Sequence, residues 1–271
     1  MASHNLKRLF AGRGLKVGHA IFEFETPGIG QIIGQAGADF AFIDMEHSGF
    51  GYAELKRLVT SMRAANIPSL VRPPSKSGPH ISRALDVGAD GLILPMVGSA
   101  AEAEQAVADM KYPPMGRRGV ALGIAHDGYT TGGAAKKLQA ANKRTAFVAL
   151  IETAEGIENV DEIAAVKQLD VLWVGHFDLS SSLGIPGEFD NPLFKKSVDK
   201  VRRAAKKHGK SLAQLVDNAP AGAALHKKGF DIICYAGDVW TYQKALTEGI
   251  GDLRAACAPK SDKTASGKRK K

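Results

Sequence analysis

Four strings in this chain set acids, a histidine and an arginine at the ends of short apolar runs. They are Asp44-Met45-Glu46-His47, Arg72 ahead of two prolines, Glu152-Thr153, and His176-Phe177-Asp178. Two isolated carboxylates, with no clustered Cys or His, suit a hard divalent ion such as Mg²⁺ or Mn²⁺, which keeps positions open for water and substrate oxygens. Such an ion polarises the carbonyl of a chelating 2-oxo acid. An arginine nearby stabilises the oxyanion that develops, and a histidine moves the proton. Taken singly, each residue also has a structural reading. Asp44 and Glu46 cap the helix that follows, Arg72 pairs with a neighbouring carboxylate, and Asp178 is an N-cap. It is their joint placement at strand ends that favours chemistry.

The elements that position them are legible as alternation. Eight runs of near-continuous apolar residues, at 16–22, 39–44, 69–72, 91–95, 146–152, 171–175, 211–216 and 231–236, have the length and composition of strands buried on both faces. Between them, 51–65, 80–88, 99–111, 159–167 and 191–209 show helical apolar spacing, many ending at glycine. Strands alternating with helices imply a parallel sheet. Eight such units in 271 residues predict an α/β fold, a (β/α)₈ TIM barrel, whose active site gathers at the C-terminal ends of the strands. The first and fourth strands end in apolar or small residues and contribute nothing chemical to this reading.

The competing fold is a Rossmann-type sheet. Its nearest fingerprint, GIGQIIGQAG at 28–37, has the wrong spacing and fits close helix packing or a tight turn better. An imine-forming aldolase needs a lysine at a strand's end, but no strand ends in lysine, and Lys16 and Lys210 begin strands.

Composition excludes several classes. No run approaches the length of a membrane helix, and the N-terminus lacks a signal peptide's apolar segment. Two cysteines, Cys234 in an apolar run and Cys257, make neither a disulfide framework nor a zinc pattern, so a reducing cytoplasm is expected. The net charge is +8, but residues 260–271 hold six basic residues and one acid. We therefore expect a single catalytic domain over 1–259 and a basic disordered tail over 260–271. A role for KRKK in nucleic-acid binding is the less favoured reading.

Several strings also resemble the HpcH/HpaI aldolase family, the class II pyruvate aldolases. They are FIDMEHSGFGYAEL (42–55), LVRPP (70–74), ALDVGADGLILPMV (84–97), KYPPMGRRGV (111–120), IETAEGIENVDEI (151–163) and WVGHFDLSSSLG (173–184), within a match running from about 5 to 256. The resemblance implies Glu152 and Asp178 as metal ligands, with Co²⁺ or Zn²⁺ as further candidate ions. It implies His47 as the base, Arg72 at the enolate, and the backbone amides of Phe177 and Asp178 at the pyruvate carboxylate. It makes Asp86, from a neighbouring subunit, the residue that raises the basicity of the histidine, and the assembly a hexamer of swapped dimers. The implied reaction is reversible cleavage of a 4-hydroxy-2-oxo acid to pyruvate and an aldehyde. A lyase of the citrate lyase β or malyl-thioester kind and a non-catalytic barrel binding a metal–oxoacid complex are the alternatives. This chain departs from the family in Leu150, where a glutamine is frequent, and in GHFD, where GPAD is frequent, which brings in His176 and Phe177. Its 120–133 segment lacks the arginines some relatives use for a distal carboxylate, so His126, Asp127 and Tyr129 are candidates to line the aldehyde pocket.

Overall fold

The computed structural model describes residues 5–12 and 14–258, so the basic tail lies outside the described residues. Eight parallel strands close into a barrel in sequence order: β1 (Lys16–Ile21), β2 (Phe40–Asp44), β3 (Ser69–Arg72), β4 (Gly91–Leu94), β5 (Ala146–Ile151), β6 (Val171–Val174), β7 (Ser211–Val216) and β8 (Ile232–Gly237). β8 returns to β1 with Lys16 opposite Ile232, which completes the ring. All eight expected strands are present, within a residue or two at their ends.

The helices are α1 (Leu6–Ala11), α2 (Ile29–Gln35), α3 (Tyr52–Ala64), α4 (Gly78–Asp86), α5 (Ala100–Met110) and α6 (Ala134–Arg144), then α7 (Ala154–Glu158), α8 (Val160–Ala165), α9 (His176–Ser182), α10 (Pro192–His208), α11 (Ala219–Lys227) and α12 (Asp238–Cys257). Of the GIGQ glycines, Gly28 precedes α2 as its N-cap and Gly30 lies within it. A Cβ on Gly30 would collide with the backbone of Ser61 on α3, so this glycine permits close helix packing and no dinucleotide turn exists there.

The core has two layers. Inside the barrel, Ala20, Phe42, Leu70, Ile93, Leu150, Trp173, Ala213 and Cys234 fill the axis, and Leu6 and Phe10 of α1 plug the N-terminal end. Phe10 meets Phe40 edge-on at 5.2 Å between centroids. The outer layer packs the other strand faces against the helices. A filled axis leaves the C-terminal rim as the place where polar side chains reach solvent.

One helix breaks the pattern. α12 runs for 20 residues with only Asp238 buried, and it exposes Trp240, Tyr242, Leu246, Ile250 and Leu253. A cavity of about 1370 Å³ lies between α10, α11 and the start of α12, lined in part by Phe194, Val198, Leu225 and Phe230. An apolar helix face beside an apolar groove is a large surface to leave in water.

Candidate active site at the barrel mouth

Strand register does the first part of the assembly. Asp44 and Arg72 end β2 and β3 and are direct partners in the ladder, so both point into the mouth. Arg72 donates from Nε to Asp44 Oδ1 at 2.9 Å and from Nη2 to Oδ2, while Nη1 lies 3.1 Å from Glu46 Oε2. Asp44 is fully buried and also accepts the backbone N–H of Glu46 at 2.8 Å, which turns the chain toward His47. The structural reading of Arg72 is therefore true, whereas Asp44 caps no helix, since α3 begins at Tyr52 behind Gly51; the pair stands in the rim. Burial works against the charge on Arg72, but the hydrogen bonds and charge of Asp44, with Glu46 and Glu152, outweigh it and hold its pKa above the ordinary value. The guanidinium has five N–H donors, so some remain free for a substrate oxygen.

Glu152 follows β5 and is 3 % exposed. Its Oε1 accepts the backbone N–H of Met96 at 2.7 Å. The rest of the carboxylate lies over Gly175, where any Cβ would collide with it. This places it at the entrance to α9, whose third residue is Asp178. Burial pushes the Glu152 carboxyl up to about 7; the Met96 hydrogen bond opposes that rise, and the charges of Asp178 and Glu46 add to it. Burial likewise raises Glu46, against Arg72 and His47 and with help from Asp44 and Asp178. Glu152 and Glu46 both feel the charge of Asp178, and Glu152 also feels Glu46, so this is a donor set short of positive charge. A divalent cation fits this need. Among the described residues no group of three or more His, Cys, Asp or Glu is arranged to hold a metal, so the protein would supply a pair of carboxylates and leave the remaining positions to substrate and water.

The shift yields a prediction. In metal-free protein the native state holds more protons than the unfolded chain between about pH 4.5 and 7, so this group's contribution to stability falls as pH rises through that window. A bound cation removes the penalty. Melting curves with Mn²⁺ and with chelator should differ little near about pH 5 and clearly near about pH 8. A metal-induced shift that is the same at both would contradict it.

The other residues fall as follows. His47 presents a 61 % exposed side chain, with Nε2 3.9 Å from Glu46 Oε2. Phe177 is 65 % exposed, its ring packed on His176 at 4.6 Å and Phe189 at 5.2 Å. His176 is a packing residue beside the rim: its ring also meets Phe189 at 5.1 Å, and burial lowers its pKa. Leu150 is buried in the barrel axis beneath Glu152. Asp86 stands apart from its own chain's mouth, at the end of α4 just before β4 begins, paired with Arg118. His126 lies on that side too, near Tyr112, on which Arg118 stacks. The 120–133 segment thus accompanies Asp86 and does not line the mouth of the same chain.

Two contributions differ from what the sequence suggested. Asp44 appeared only within a cluster, although strand register makes it Arg72's partner. Met96 acts through its backbone, in a left-handed conformation (φ 54°) that apolar residues rarely adopt, so its residue type carried no signal. Its carbonyl, in the next peptide unit, accepts from Lys76 Nζ at 2.7 Å, which anchors the chain just past the N–H that holds Glu152.

Fold and rim together define a barrel whose mouth sets an arginine beside buried carboxylates. The family model for HpcH/HpaI aldolase/citrate lyase matches residues 24–244, and the chain belongs to this family. It is 33 % identical over 216 residues to a 4-hydroxy-4-methyl-2-oxoglutarate aldolase of Chaetomium globosum, covering 78 % of this chain and 80 % of that one. A 5-keto-4-deoxy-D-glucarate aldolase of Klebsiella pneumoniae is 29 % identical over 222 residues, covering 82 % and 86 %. The crystal structure of an HpcH/HpaI aldolase from Desulfitobacterium hafniense superposes with a TM-score of 0.88 at 31 % identity, covering 95 % of this chain and 99 % of that one. The chain is a carbon–carbon lyase of the aldolase type, as the sequence motifs implied.

Proposed function

We propose that residues 1–259 form a divalent-metal-dependent aldolase that cleaves a 4-hydroxy-2-oxo acid to pyruvate and an aldehyde, and joins them in reverse. The observation that carries this reading is the buried Glu152 carboxylate, raised to about 7 by burial and by Asp178, in the same mouth as Arg72. When bound by Glu152 and Asp178, Mg²⁺ or Mn²⁺ would supply Lewis-acid polarisation of the 2-oxo group. Arg72, held by Asp44 and Glu46, offers its remaining N–H groups to the oxygen on C2. The first-turn amides of α9, at Phe177 and Asp178, have no partner within the helix and suit the substrate carboxylate. His47 accepts the C4 hydroxyl proton. The C4 oxygen then forms the aldehyde carbonyl, the C3–C4 bond breaks, and its electrons form the C2–C3 enolate facing Arg72. A proton added to C3 completes pyruvate.

The role of Asp86 requires a second copy, because in its own chain it lies at the other end of the barrel. The exposed apolar face of α12 and the groove beside it support a homo-oligomer, for which we propose the hexamer. Sedimentation of the intact protein should show one large species, and Leu246→Glu with Leu253→Glu should break it up; a monomeric wild type would refute this. A cytoplasmic location belongs to the same proposal, supported by two free cysteines and checked by cell fractionation. Among the described residues no helix is long and apolar enough to cross a membrane.

The test of function is exchange of the pyruvate methyl protons with deuterated solvent, followed by NMR. Exchange that needs a divalent ion and stops with chelator supports the reading. Exchange indifferent to chelator, or none with any divalent ion, contradicts it.

A further inference from the structure

The barrel mouth is divided in two. Asp44, Glu46, Arg72, Glu152 and Asp178 occupy the arc from β2 to β6. The arc formed by β7, β8 and β1 presents Leu215, Ala236 and Phe22, with Trp240 from the first turn of α12. An aromatic path joins the two arcs. Arg72 lies over the Phe42 ring at 5.6 Å, Phe42 meets Phe22 at 6.2 Å, and Phe22 meets Trp240 at 4.9 Å. Trp173 supports Phe42 from the side at 5.6 Å.

This wall is held in place before any substrate arrives. The buried carboxylate of Asp238 accepts the backbone N–H groups of Phe22 at 3.0 Å, Glu23 at 3.0 Å, Phe24 at 2.7 Å and Val239 at 2.8 Å. One side chain thereby ties the segment after β1 to the start of α12, and Phe22 and Trp240 are fixed against each other. Of the basic residues that share the cavity with Trp240, Lys195 and Arg202 pair with Asp190 and Asp199, and Lys227 and Lys228 stand at the end of α11 away from the mouth. Arg57 is held by Glu25 and Glu54, and Lys244 lies 4.0 Å from Glu248. Asp217, just past β7, adds negative charge to the rim.

Resting on the aldolase reading above, we infer that the acceptor is an uncharged aldehyde whose aromatic or branched aliphatic substituent packs on Phe22 and Trp240. The oxoacid end of the substrate carries the oxygens that the polar arc recognises. His47, which addresses the C4 oxygen, follows β2, the strand beside β1, so C4 falls at the border between the arcs. Its substituent is the part of the substrate that extends onto the aromatic wall. A carboxylate there would lose water without gaining a cation, and it would face Asp217. The names of the Chaetomium and Klebsiella relatives specify dicarboxylic substrates, so this chain would differ from them in the half of the substrate that carries the C4 hydroxyl.

The test uses the intact assembly with Mn²⁺. Aldol addition of pyruvate to benzaldehyde and isobutyraldehyde is compared with addition to glyoxylate and succinic semialdehyde; C3 of the enolate bonds to the carbonyl carbon, and the carbonyl oxygen takes a proton to become the C4 hydroxyl. We expect kcat/KM for the uncharged aldehydes to exceed that for the charged ones by roughly tenfold or more. Phe22→Ala and Trp240→Ala should each shrink that ratio toward unity. The ratio is internal to each variant and does not move with the fraction folded. Preference for charged aldehydes, alongside normal pyruvate exchange in the wild type, overturns this inference and leaves the aldolase intact. Absence of pyruvate exchange overturns both.

Discussion

Glu152→Gln is expected to yield a folded protein that no longer enolises pyruvate and is no less stable than wild type in metal-free buffer at neutral pH. The neutral amide keeps an oxygen for the Met96 N–H at nearly the same place. What it removes is a charge whose burial, with Asp178 adding to it, pushes the carboxyl up to about 7. Losing that charge relieves a desolvation cost in the empty protein, while the cation loses its one buried ligand. A Lewis acid contributes several kcal/mol to such a step, and each 1.36 kcal/mol is about tenfold in rate. The fall in exchange rate should therefore be on the order of 10³ or more. Thermal melting with chelator reads the stability arm and NMR exchange reads the activity arm. A variant that retained activity within tenfold, or that melted well below wild type without metal, would place Glu152 outside the metal site.

Arg72 should separate structure from chemistry through two substitutions. Arg72→Ala leaves Asp44 fully buried with its charge uncompensated. Breaking a buried pair from one side typically costs about 3–5 kcal/mol, which for a chain of this size lowers the melting temperature by roughly 10 °C. Arg72→Lys keeps a positive charge near Asp44 but loses the planar fork that grips Asp44 through Nε and Nη2 while reaching Glu46 and substrate. Its melting temperature should stay closer to wild type. Its kcat should nonetheless fall by about 10²–10³, the usual effect of removing one donor to a developing oxyanion, with KM for the oxoacid changing far less. Steady-state kinetics alongside thermal denaturation distinguishes these arms. Unchanged kcat in Arg72→Lys would make the residue a structural partner of Asp44 and nothing more.

The barrel was legible because its strands are buried on both faces and so read as unbroken apolar runs, from KVGHAIF at the start to DIICYA near the end. Once strands are placed, the C-terminal rim is fixed by geometry, and Arg72 and Glu152 follow as strand-end polar residues. The rest was hidden for physical reasons. Met96 contributes a peptide N–H, which every residue other than proline possesses, and only its left-handed backbone aims it at Glu152. Asp86 is a helix-end acid whose proposed work is on another copy, so no local pattern marks it. α12 carries helical spacing at Tyr242, Leu246, Ile250 and Leu253, but Gly249 and Gly251 obscure it, and exposure of that face becomes visible only in three dimensions. The aromatic wall likewise depends on β1 and β8 being neighbours, a closure that joins residues more than two hundred positions apart.

The central claim is that Glu152 and Asp178 share one divalent cation in front of Arg72. A crystal structure of the protein with Mn²⁺ and pyruvate, with data collected for the anomalous signal of manganese, addresses it directly. The account predicts a single anomalous peak within about 2.3 Å of an oxygen from each carboxylate, with the pyruvate 2-oxo oxygen turned toward the Arg72 guanidinium. A peak bound by only one of the two, or separate ions on each, would contradict it.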